Sequence, residues 1–119
     1  MPRAQLAMAF AESTVDWATE ELELTLEEVS QALGVNRRTI GRWREGVSEP
    51  SPEHRKNLER ISQLRHFLRT SFRDADAAQS WMQTPLDALE GRTPHFAMCE
   101  GDLERVVRLL GTLASGAHI

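Results

Sequence analysis

The stretch over residues 25–46, TLEEVSQALGVNRRTIGRWREG, leaves the chain few choices about how it folds. Leu26, Val29 and Leu33 recur three and four residues apart, the spacing of one helical face. Thr25 stands three residues before Glu28, which makes a capping box: the threonine hydroxyl accepts from a free backbone N–H, and the glutamate carboxylate accepts from the N–H of the cap. Gly34 falls where that helix must stop, because glycine takes the left-handed conformation without steric cost. Val35 can plug the corner, and Asn36 is a good cap for a second helix with Ile40 and Trp43 as its inward positions. The remaining positions of the second helix carry Arg37, Arg38, Thr39, Arg42 and Arg44. An arginine-rich helix start, braced across a glycine corner by another helix, is a shape that a DNA major groove admits.

This stretch resembles the Xre/Cro-type helix-turn-helix, with Gly34 at the turn and residues 37–45 as the recognition helix. The resemblance implies base-edge contacts from Arg37, Arg38 and Arg42 and phosphate contacts from Thr25 and Thr39. Asn36 at the cap and Arg44 near the helix end complete the candidate DNA-binding set, although the sequence leaves open whether Arg44 faces DNA or protein. Leu26 departs from the family, which often has glutamine there as a polar brace. The plainer alternative is a helical hairpin whose arginines are simply solvated.

A net charge of −4 argues against DNA binding until it is divided along the chain. Residues 1–34 sum to −6, residues 35–73 to +6 and residues 74–119 to −4. Positive charge is therefore concentrated in the recognition helix and the segment after it. Screening over ~8 Å in physiological salt keeps the acidic remainder from cancelling it locally. Cys99 is the only cysteine, so neither an intrachain disulfide nor a thiolate zinc site is expected. With no run long enough to span a membrane and no signal-peptide pattern, a cytoplasmic location is expected.

At 119 residues the chain suits one domain or two small ones. Residues 4–22 predict an amphipathic helix with Met8, Ala11, Val15, Ala18 and Leu22 on one line. Phe10 and Trp17 lie off it, Trp17 as a large core residue and either as a contact for a neighbour or second subunit. Pro50 and Pro52 interrupt any helix after Gly46, and Ser51 then caps a long helix to about Phe72. Its apolar stripe is Leu58, Ile61, Leu64, Leu68 and Phe72; the other face is basic. A short helix with Trp81 and Met82 ends before Pro85, and a last one from about Asp102 carries Leu103, Val106, Val107, Leu110 and Leu113. The tail from Ser115 looks loosely held.

The order Trp81, Pro85, Leu86, Leu89, Gly91, Pro94, Gly101, Val106, Leu110 resembles the toxin-binding domain of Xre/MbcA/ParS-type antitoxins. Met82 replaces a leucine of the family pattern, and Glu90 replaces the first glycine of a pair. The resemblance implies a cognate RES-domain toxin that uses NAD, blocked at its active-site entrance by the C-terminal portion of the antitoxin. It also implies a homodimer that binds its own operator DNA and represses the pair. The candidate toxin-binding residues are Trp81, Pro85, Leu89, Gly91 and Pro94, with a plug over residues 111–119 from Gly111 to Ile119. These residues also have a purely architectural reading, as a compact helical cap.

No cofactor is expected, since there is no phosphate loop, dinucleotide fingerprint or Cys/His cluster at metal spacing. His54, His66, His95 and His118 are scattered, and Cys99 has no basic sequence neighbour to favour a thiolate. The expectation is thus a non-enzymatic, all-α protein: a helix-turn-helix bundle over residues 1–72, then a small helical toxin-binding domain over 73–119. The rivals are a plain Xre-family repressor whose C-terminal helices only dimerise, and a toxin-binding module whose DNA-binding role has lapsed.

Overall fold

The structure, a computed structural model, describes residues 2–116. Among them are seven α-helices, one short 3₁₀ turn and no strand, so the all-α expectation is met. The chain divides into two compact units, Met1–Glu59 and Arg60–Ile119. The division falls inside the long fourth helix.

In the first unit, α1 (Arg3–Glu20), α2 (Leu26–Leu33) and α3 (Arg37–Arg44) pack mutually, and the opening turns of α4 (Pro52–Ser71) follow. Ala11, Val15 and Ala18 of α1 are buried, as their spacing predicts. Trp17 is buried too, so it serves the core although it lies off that line. Between α1 and α2, Leu22 and Leu24 both point inward, and Glu23 between them takes the left-handed conformation (φ 56°). Val29, Leu33, Ile40, Trp43 and Leu58 complete this core. Each such side chain removed from water contributes about 1.5–3 kcal/mol against the entropy of ordering it. Leu26, at the edge of its stripe, is only half-buried.

Four local devices set the helix ends here. The capping box forms: Glu28 N donates to Thr25 Oγ1 at 3.1 Å, and Thr25 N donates to Glu28 Oε1 at 2.9 Å. Gly34 stops α2 at φ 71°, in the left-handed region where a side chain would be strained. Asn36 caps α3, its Oδ1 accepting from Thr39 N at 2.8 Å. Ser51 caps α4, its hydroxyl accepting from His54 N at 3.2 Å. Asn57 adds a longer tie, donating to the Leu33 carbonyl at 3.1 Å.

The second unit holds the rest of α4, then α5 (Ala75–Met82), the 3₁₀ turn Asp87–Leu89, α6 (Pro94–Cys99) and α7 (Leu103–Ala114). α6 packs against both α5 and α7. Ile61, Leu64, Leu68, Met82, Leu89, Met98, Val106 and Leu110 are buried. Asp74 caps α5 by accepting from Ala77 N at 2.9 Å. Thr93 caps α6 by accepting from Phe96 N at 3.0 Å, with Pro94 at the first helical position, where a missing N–H is harmless. Among the described residues, no helix is long and apolar enough to cross a membrane.

Candidate DNA-facing helix and partner groove

The α3 helix buries Ile40 and Trp43 and leaves its arginines outside. Arg38 and Arg42 are exposed and make no ion pair among the described residues. Arg37 is also exposed, and its Nε lies 3.2 Å from Glu27 Oε2 of α2. Asn36 and Thr39 sit at the start of the helix, bonded to each other, with Thr39 Oγ1 donating to Asn36 Oδ1 at 2.9 Å. Thr25 is exposed at the start of α2, its hydroxyl engaged by the cap.

Arg44 is different. Its Nη2 donates to Asp16 Oδ1 of α1 at 2.7 Å, so it braces α3 against α1 while part of its side chain stays exposed. Of the candidate DNA-binding residues, Arg44 is thus the one whose guanidinium pairs with α1. Helical geometry explains the difference: Arg44 is seven residues, nearly two full turns, beyond Arg37, far from the start of α3 and beside α1.

In the second unit, Trp81, Pro85, Leu86, Asp87, Ala88, Leu109 and Leu113 line a groove of about 450 Å³. Trp81 is half-buried and stacks obliquely on Phe72, with ring centroids 5.9 Å apart, while Pro85 is exposed at the rim. Leu109 was not among the predicted residues. Its signal was the four-residue interval to Leu113, a second apolar line beside that of Val106 and Leu110. Phe96 of α6 is 55% exposed, a further apolar surface residue.

Two predicted contact residues lie beneath this surface. Leu89 is fully buried and Pro94 is buried, so they shape the unit from within and offer nothing for direct contact. Gly91 is exposed with φ +83°, and Glu90 before it takes φ 60° and ψ 37°. The turn that a glycine pair would make is therefore formed with glutamate in the left-handed position. Gly111 lies within α7, where an added Cβ would be 3.3 Å from Cε2 of Phe67. It is a close-approach point between α7 and α4, and the segment expected as a plug begins inside α7, which extends to Ala114. Ile119, the other plug residue, lies outside the described residues.

Ionic staples hold the turns around the groove. Arg92 donates from Nε to the Leu89 carbonyl at 2.9 Å, from Nη1 to Glu100 at 3.2 Å and from Nη2 to Asp102 at 2.9 Å. Arg105 donates to Glu90 at 2.6 Å and to the Ala88 carbonyl at 2.7 Å. The hydrogen bond and charge of Arg105, with the charge of Arg92 added, hold the Glu90 carboxyl below the ordinary carboxylate range. Asp102 and Glu100 in turn raise the pKa of Arg92. None of these partners was apparent from sequence.

A helix-turn-helix unit joined to a helical unit with an apolar groove defines a class of two-part binding protein, and comparison with known proteins gives it a family. Residues 18–73 match a helix-turn-helix family, and residues 67–116 match the antitoxin Xre/MbcA/ParS C-terminal toxin-binding domain. The mycobacterial cidal antitoxin MbcA of Mycobacterium tuberculosis, like that of Mycobacterium bovis, is 31% identical over 107 residues. The match covers 90% of this chain and 94% of the relative. A chain in the crystal structure of the M. tuberculosis MbcT–MbcA toxin–antitoxin complex superposes with a TM-score of 0.60, covering 90% of this chain and 96% of that one. The chain belongs to the Xre/MbcA/ParS antitoxin family.

Proposed function

We propose that this chain is a cytoplasmic, non-enzymatic antitoxin that binds and inhibits a RES-domain toxin using NAD, and represses its own operon as a homodimer. The toxin-facing region is assigned to residues 73–119, with the groove beside Trp81 and Pro85 as the docking surface. The DNA-facing region is assigned to residues 1–72, with Arg37, Arg38 and Arg42 reading operator bases and Thr25, Asn36 and Thr39 at the phosphates. The observation that carries the first assignment is an open groove with an apolar wall on a unit whose turns are stapled rigid, in a relative of an antitoxin crystallised with its toxin. A rigid, preformed apolar surface keeps most of its contact energy on binding, because little side-chain freedom is lost.

Co-expression with the toxin encoded beside it is the direct test. Rescue of growth and co-purification of the two chains are expected, and continued arrest removes the antitoxin assignment. Cellular NAD measured in the same cultures tests the toxin class: NAD should fall with the toxin alone and recover when this chain is present. Recovery of growth with NAD unchanged throughout would keep the antitoxin and discard the RES assignment.

A further inference from the structure

We infer that Glu27 is a positioning residue for base reading, orienting Arg37 so that its outer nitrogens meet a guanine; this rests on the DNA-binding part of the proposed function. Glu27 lies in the first turn of α2 and Arg37 at the first position of α3. Their contact runs through Arg37 Nε, 3.2 Å from Glu27 Oε2, and not through the tip of the guanidinium. This ion pair draws the Nε side of the group toward Glu27, while Nη1 and Nη2 remain without a partner among the described residues. Those two nitrogens form the fork that donates to O6 and N7 of guanine. Arg44 shows the contrary arrangement, with Nη2 itself bonded to Asp16.

The position of Glu27 also needs an explanation. An acidic side chain beside the recognition helix repels phosphate and weakens general DNA affinity. The pair is 65% and 57% exposed, and such exposed pairs add little to folding. What the ion pair does provide is a bias of the guanidinium toward one orientation before DNA arrives, which reduces the freedom lost on binding. Glu27 therefore trades general affinity for discrimination.

The test uses the full chain, a duplex selected by it from a random-sequence library, and a scrambled duplex of equal composition, with binding followed by fluorescence anisotropy. Glu27→Gln should tighten binding to the scrambled duplex yet lower the ratio of selected to scrambled affinity by about three- to tenfold. Glu27→Asp keeps the charge but is too short to hold Nε, so it should lose discrimination without the non-specific gain. In an Arg37→Ala background, Glu27→Gln should leave the ratio unchanged, and a thermal melt checks that each variant is folded at the assay temperature. An unaltered ratio in both Glu27 variants overturns the positioning role while leaving DNA binding intact. Failure of the unsubstituted chain to enrich any sequence overturns the positioning role together with the DNA-binding assignment.

Discussion

Arg38 and Arg42 of the first unit reach solvent with no ion pair among the described residues, whereas Arg92 of the second has an acceptor for each of its three side-chain nitrogens. The same residue type is engaged differently because the two units make their turns differently. In the first, short polar side chains close the helix ends: Thr25 with Glu28, Asn36 with Thr39, and Gly34 in the left-handed turn. Arg38 and Arg42 take no part in these closures, while Arg37 meets Glu27 and Arg44 meets Asp16. In the second, the segment between the 3₁₀ turn and α7 passes through left-handed residues Glu90, Gly91 and Gly101, and Arg92 and Arg105 tie it together from outside. A cation already matched by carboxylates and carbonyls has little left to offer DNA. An unmatched one near the start of an exposed helix contributes little to stability.

The contrast can be broken first at the cores. Ile40→Ala and Leu110→Ala each empty a fully buried site and should each cost about 2–5 kcal/mol in urea unfolding. A loss below about 1 kcal/mol at either position would mean that its core is not packed as described. Next comes the exchange of arginines. Arg38→Ala should weaken operator binding by about 1–3 kcal/mol and leave the urea midpoint nearly unchanged. Arg92→Ala should do the reverse, lowering the urea midpoint while operator affinity holds. If both variants move the same readout, the two uses of arginine are not distinct.

Thr25→Ala should cost about 1 kcal/mol through loss of the cap, and Thr25→Ser should recover most of it, because serine retains the accepting hydroxyl. Equal melting of the two variants would count against the cap. Smaller still is the effect of acid on the staple at Glu90. Its folded pKa is depressed, so its contribution is present above the unfolded value and is lost as the pH falls from the ordinary carboxylate range through the folded value. Arg105→Ala should flatten that part of the stability-versus-pH curve. At neutral pH, Glu90→Gly should melt above Glu90→Ala: both lose the ion pair, but only glycine is relieved of the left-handed strain.

The features legible in the sequence were those whose cause lies within a few residues. The Thr25–Glu28 spacing, the glycine at 34, the Asn36 cap and the Ser51–Pro52 helix start each appear in the structure because they are settled by nearby backbone geometry. The core was legible for a related reason: helical periodicity places Val29, Leu33, Ile40, Leu64, Val106 and Leu110 on inward faces whatever they pack against. Trp17 shows the limit, since it lies off its stripe and is buried all the same.

By itself, then, the sequence determined the helices, their ends, the two-part order and the separation of charge, all products of local sterics and the 3.6-residue repeat. Only the tertiary structure decided what each long polar side chain does. It turned Arg44 to Asp16 across 28 positions, joined Arg105 to Glu90 across 15, set Glu27 on the inner nitrogen of Arg37, and placed Leu89 beneath the surface that Trp81 and Pro85 line. An arginine reaches several ångströms in many rotamers, so its partner depends on which elements the fold brings within that reach. Burial at Leu89 and crowding at Gly111 likewise arise only once neighbouring helices have packed.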